Sequence, residues 1–172
     1  MPDYKIAIIG TTSWGITLGL INARKGAEVR VWARTQKEAD FLISKGLNQT
    51  KFPGQTVPAK MSFTSELETA IAGVDALILA VPANTMRQNI ARAAPYLTKE
   101  MIIVNVSKGL ETGTSKRMST IIAEEIDSRL VGNICTLSGP NLAREVMQDR
   151  PAAAVVAADS LNTARKAQRI LT

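Results

Sequence analysis

Histidine is absent from this 172-residue chain, and cysteine occurs once, at Cys135. No internal disulfide can form, and neither a histidine-bearing metal cluster nor a Ser-His catalytic pair is available. Aromatic residues make up only 4 % of the chain. The 21 Lys+Arg and 15 Asp+Glu, a net charge of +6, are scattered singly. A basic run interleaved with aromatics, the footprint of a nucleic-acid binder, is therefore missing, and no nucleic-acid partner is expected. The mild positive field suits phosphorylated small molecules instead. No apolar run reaches the ~18 residues that a membrane span requires. The first apolar segment already begins at Tyr4. No signal peptide is expected, and a cytoplasmic location is.

What is present is a regular alternation. The hydrophobic fraction of 45 % is spread over short runs. A chain of this length forms one domain or little more. It buries roughly 70 % of its unfolded surface, enough to hold a core without disulfides or metals. Candidate strands are Lys5–Ile9, Glu28–Trp32, Ala76–Val81, Ile102–Val106, Ile134–Leu137 and Ala152–Ala157. Their unbroken apolar character implies burial on both faces, as in a parallel sheet. Candidate helices are Trp14–Lys25, Gln36–Ser44, Ser65–Ala72, Thr85–Tyr96, Thr114–Leu130, Leu142–Gln148 and Ser160–Leu171. Gly26 reads as the stop of the first helix, and Ser65, with Glu68 three residues on, as an N-cap. Gly46–Ser62, with Pro53-Gly54 and Pro58, reads as a loop over one end of the sheet. The βαβα pattern predicts an α/β fold: a Rossmann-like, doubly wound, mostly parallel sheet with helices on both faces.

In such sheets ligands sit outside the carboxyl ends of the strands. The first strand runs into Gly10-Thr11-Thr12-Ser13-Trp14-Gly15 and then a helix. That order aims backbone N–H groups and a helix N-terminus at a pyrophosphate; a tight turn without a ligand is the alternative. Thr12 occupies the place of the middle glycine in G-x-G-x-x-G, so its side chain is expected to push the phosphates outward or make the loop adjust. The second strand ends at Arg34, with Lys37 one helical turn on, where an NAD site usually places an acid. A guanidinium suits a 2′-phosphate, so NADP is favoured over NAD, unless Arg34 is merely a solvated surface residue. Pro82 forces the chain away from the sheet, either beside a nicotinamide or as a packing turn. Lys108 follows another strand end and can bind a substrate phosphate or polarise a carbonyl; the alternative is an exposed loop lysine. Asn141 can cap the next helix or face the cleft. Glu145 is expected to be solvated.

Together these pieces resemble the N-terminal half of the NAD(P)-dependent glycerol-3-phosphate dehydrogenases. The resemblance covers essentially the whole chain. It rests on the order of Ile9-Gly10-x-x-Ser13-Trp14-Gly15, Val31-Trp32-Ala33-Arg34, Asn48…Phe52-Pro53-Gly54, Ala80-Val81-Pro82-Ala83, Ser107-Lys108-Gly109-Leu110-Glu111 and Leu137-Ser138-Gly139-Pro140-Asn141-Leu142-Ala143-Arg144-Glu145-Val146. The family interconverts dihydroxyacetone phosphate and sn-glycerol 3-phosphate, which feeds phospholipid synthesis in bacteria. The resemblance implies that Ser13, Trp14 and Arg34 line the coenzyme site, bordered by Phe52 and Ala143. It implies that Lys108, Gly139 and Asn141 face substrate, with Lys108 also touching coenzyme. Thr12 departs from the family's glycine. The principal catalytic lysine and the substrate-phosphate arginine belong to a C-terminal helical domain that these residues do not include. Lys108 is therefore expected to play a supporting part, and the chain alone to have little or no turnover. Apolar surface left by a missing domain could drive association into a homodimer. Two other readings are a non-catalytic nucleotide-binding or assembly module, and the coenzyme half of a ketopantoate or hydroxyacid reductase.

Overall fold

The computed structural model describes residues 4–45, 47, 52 and 54–171. Among these, β1 (Lys5–Ile9), β2 (Glu28–Trp32), β3 (Met61–Thr64), β4 (Ala76–Leu79), β5 (Ile102–Asn105), β6 (Ile134–Ser138) and β7 (Val155–Ala157) form one sheet, in the order β3-β2-β1-β4-β5-β6-β7. Every pairing is parallel except that of β6 with β7. The helices are α1 (Ser13–Arg24), α2 (Gln36–Lys45), α3 (Leu67–Ile71), α4 (Met86–Ala93), α5 (Met118–Glu125), α6 (Ala143–Val146) and α7 (Leu161–Leu171).

The central strands are almost wholly apolar, Lys5 and Asn105 apart, because side chains alternate between two buried faces. Ile6 and Ile8 of β1 join a core with Leu20 of α1, Leu42 of α2 and Ile170 of α7. Ala7 and Ile9 join a second core with Ile71 of α3, Ile90 of α4 and Ile121 of α5. The sheet is therefore covered on both sides, as expected. Helix α1 carries no charge from Ser13 to Ala23, and eight of its residues are buried. That all-round burial matches its apolar sequence. Gly26, at φ 101°, ends the helix, with its N–H donating to the Ala23 carbonyl.

Several expectations need correction. Strand β3 falls where only loop was expected at its start. Its four residues alternate in burial, and it pairs with β2 at the edge of the sheet, so it gives no long apolar run to read. Ser65 does not cap α3. Its hydroxyl instead donates to Gln36 Oε1 at 2.6 Å, and Glu66 holds the cap position without a side-chain bond. The helix expected over 114–130 is shorter. Ser115, at φ 55°, and the antiparallel bridge between Leu110 and Arg117 make a hairpin, and α5 starts only at Met118. Strand β7 is reduced to three residues and runs antiparallel. Asn141 does not cap α6. Leu142 holds that position, and the Asn141 N–H donates to the Gly139 carbonyl. Asn48 and Pro53 of the quoted loop motif lie outside the described residues.

Candidate active site

The carboxyl ends of β1, β2, β4, β5 and β6 converge on one cleft. At its floor the chain turns from β1 into α1 through Gly10, at φ 112°. A Cβ there would lie 2.5 Å from the Ala80 carbonyl oxygen, and one on Gly15 would lie 2.6 Å from the Gly10 carbonyl oxygen. Close approach of loop, helix and β4 thus requires both glycines. Thr12 bonds within the loop. Its Oγ1 donates to the Ala80 carbonyl at 2.8 Å and accepts from the Gly15 N–H at 3.1 Å, so the threonine caps α1. Ser13 and Trp14 remain in the first turn, where amides lack intrahelical acceptors.

Two cavities meet over this loop. One, of about 510 Å³, is lined by Gly10, Thr11, Thr12, Arg34, Glu38 and Asn89, among others. The other, of about 330 Å³, is lined by Thr12, Trp14, Lys108, Asn141 and Ala143, among others. Thr12, Val81 and Pro82 line both, so the cleft runs continuously from Arg34 to Lys108. A third cavity, of about 700 Å³, lies beyond, with Ser107 and Lys108 on the shared wall and Arg117 and Ser138 further round.

Each wall has a structural cause. Ser107 Oγ donates to the Val81 carbonyl at 2.6 Å, tying the turn after β5 to the end of β4. The buried Asn105 accepts from the Ser107 N–H at 3.1 Å and shapes the same turn. Lys108 is exposed, and its Nζ donates to the Gly139 carbonyl at 3.4 Å. Arg34 is exposed at the rim, and its guanidinium makes no hydrogen bond or ion pair among the described residues. Phe52 does not line these cavities. It is 7 % exposed and belongs to the core on the α1 side of the sheet. Lys37 is exposed and stands apart from the lining.

Sequence reasoning missed two groups. Glu38 of α2 turns its carboxylate back onto the glycine loop. Its position four residues past Arg34 was the available signal. Arg87 of α4 joins three carboxylates: Glu111 at 2.8 Å, Glu124 at 2.8 Å and Glu125 at 2.5 Å. This clamp holds the hairpin that follows Lys108. The Arg87 guanidinium, with help from the Thr114 hydroxyl, pulls the Glu111 carboxyl down to about 2. Nothing local in the sequence marks Arg87, because its partners lie 24 to 38 residues away.

Residues 5–164 match the model of the NAD-dependent glycerol-3-phosphate dehydrogenase N-terminus. The chain belongs to that family. A glycerol-3-phosphate dehydrogenase [NAD(P)+] of Dehalococcoides mccartyi is 51 % identical over 98 % of this chain and 47 % of its own length. One from Corynebacterium kroppenstedtii is 38 % identical over 97 % of this chain and 50 % of its own. The crystal structure of glycerol-3-phosphate dehydrogenase from Coxiella burnetii superposes with a TM-score of 0.88 at 29 % identity, covering 99 % of this chain and 51 % of that one. The chain thus spans about half the length of the curated relatives it matches. Family membership and the Rossmann-like fold agree with the reading of the strand ends. A ketopantoate reductase from Ralstonia eutropha, at TM-score 0.59 and 17 % identity, shares the fold alone. Among the described residues no helix is long and apolar enough to cross a membrane, and no group of three potential metal-ligating side chains occurs.

Proposed function

We propose that this chain is the coenzyme-binding part of an oxidoreductase that interconverts dihydroxyacetone phosphate and sn-glycerol 3-phosphate, in the cytoplasm and toward glycerophospholipid synthesis. The observation that carries the proposal is the continuous cleft from Arg34 to Lys108, crossing the amino end of α1. The residues fit an NAD(P) molecule. Gly10 and Gly15 let the loop and α1 close onto the end of β4, and the Ser13 and Trp14 amides offer donors to a pyrophosphate. Thr11 and Arg34 border the adenosine half, and Trp14, Pro82 and Ala143 the nicotinamide half. When bound, the coenzyme supplies the hydride.

The chain's own side chains hold and orient. The Arg34 guanidinium suits a 2′-phosphate, which supports NADP. Lys108, on the wall between two cavities, places an ammonium where a substrate phosphate or a developing alkoxide could be met. Asn141 lines the approach, and the Gly139 carbonyl steadies Lys108. Proton donation to the alkoxide and closure against water fall to residues beyond these 172, in a C-terminal helical domain. A homodimer and a phosphorylated small-molecule substrate are part of this reading; nucleic acid is not.

Side-by-side calorimetric titration with NADPH and NADH tests it. Binding of either to the folded chain, with NADPH the tighter, is expected. Restored oxidation of NADPH by dihydroxyacetone phosphate is expected once the remaining half is supplied. A folded chain that binds neither coenzyme would overturn the proposal. One observation favours a non-catalytic module instead: Thr12 already occupies the Gly15 N–H. Under that reading no partner half restores turnover.

A further inference from the structure

At one end of the cleft the Glu38 carboxyl group and the exposed Arg34 guanidinium line the same cavity. Thr35 starts α2 by accepting from the Glu38 N–H, with its hydroxyl at 3.2 Å and its carbonyl at 3.1 Å. With the backbone so held, the half-buried Glu38 side chain folds back toward the sheet rather than out to water. Its Oε1 accepts from the Thr11 hydroxyl at 2.5 Å, and its Oε2 accepts from the Arg34 backbone N–H at 3.1 Å. The carboxylate is therefore pinned between the glycine loop and the end of β2, on the wall of the 510 Å³ cavity that Arg34 also lines. Among the described residues no lysine or arginine forms an ion pair with it.

We infer that Glu38 reads the adenosine ribose and restrains the preference that Arg34 confers; this rests on the dinucleotide reading above. An ionised carboxylate offers about four acceptor sites, of which two are used here. The free ones suit the hydroxyls of an unphosphorylated ribose. A 2′-phosphate offers acceptors only and carries a charge of about −1.5 to −2, so beside Glu38 it meets repulsion. The sequence showed no acid at the end of β2, but α2 delivers one to the same place. Selectivity is then set by the Arg34–Glu38 pair, and both coenzymes bind the unmodified chain with affinities within about tenfold of each other.

Two measurements test this, both by calorimetry. The unmodified chain is titrated with 5′-AMP and 2′,5′-ADP (adenosine 2′,5′-bisphosphate), which differ only in the discriminating 2′-phosphate. Affinities within about tenfold are expected; a preference for 2′,5′-ADP well beyond about tenfold would mean that Glu38 exerts no restraint. Next, Glu38→Gln removes the charge while keeping the side chain's length. The NADPH-to-NADH affinity ratio should rise about tenfold, whereas Glu38→Asp, which keeps the charge, should leave it within about threefold. An unchanged ratio in a folded Glu38→Gln chain that still binds coenzyme overturns this inference alone. Failure of the unmodified chain to bind any of the four ligands overturns the dinucleotide reading with it.

Discussion

Thr12 donates its hydroxyl proton to the Ala80 carbonyl at 2.8 Å while the same oxygen accepts from the Gly15 N–H. The Thr12 side chain is thus built into the loop, bridging the end of β4 and α1. It strengthens the helix start and withdraws one amide from any phosphate nearby.

Thr12→Gly should reverse both effects. The lost cap and the lost bond to Ala80 cost about 1 kcal/mol of stability. The freed Gly15 N–H should tighten NADPH roughly tenfold, the worth of one added charge-assisted hydrogen bond. Thermal melts and calorimetry on the same samples read the two changes. A weaker coenzyme affinity in the glycine variant would mean that the threonine cap is part of the binding surface.

Lys108→Ala should separate binding from folding. Lys108 is exposed and makes one long hydrogen bond, so stability should change by no more than about 0.5 kcal/mol. Affinity for NADPH should fall severalfold if the ammonium reaches the coenzyme. Unchanged affinity would confine Lys108 to substrate.

The Arg87 clamp should make stability acid-sensitive. Glu111 is drawn from its ordinary 4.5 down to about 2, chiefly by Arg87, and Glu124 is lowered by Lys116 and Arg87. Carboxyls lowered on folding stabilise the native state fully above their ordinary range. That contribution is lost as pH falls from about 4.5 toward 2. The urea midpoint should therefore drop between pH 6 and pH 3, and Arg87→Ala should flatten the drop by abolishing its largest cause. Parallel acid profiles for the two proteins would exclude the clamp as the origin.

Cys135 should be chemically silent in the native chain. It is 1 % exposed, and burial pushes its thiol up to about 12. A thiol reagent at pH 8 should label it only at the rate of unfolding, and completely in denaturant. Fast labelling of the folded chain would show that the neighbouring 700 Å³ cavity opens onto the sulfur.

Features carried by contiguous residues were legible in the sequence. The bounds of β1 and β2 match expectation, because each is an apolar or alternating run closed by a turn. Gly10 and Gly15 were readable as a phosphate-type turn because the order strand, glycine loop and apolar helix occupies one short segment. The gathering of Thr12, Pro82, Lys108 and Asn141 around one cleft followed once parallel strands were inferred, since their carboxyl ends must then lie together. What the tertiary structure alone decided depends on groups distant in sequence. Thr12 meets Ala80 across 68 residues, Thr11 meets Glu38 across 27, and Arg87 meets Glu125 across 38. Whether the Thr12 hydroxyl stays free or caps its own helix, and whether Glu38 points to water or to the glycine loop, depends on which acceptor or donor the fold brings within about 3 Å. Local propensity does not encode that distance; the packing of β4 and α2 around the glycine loop does.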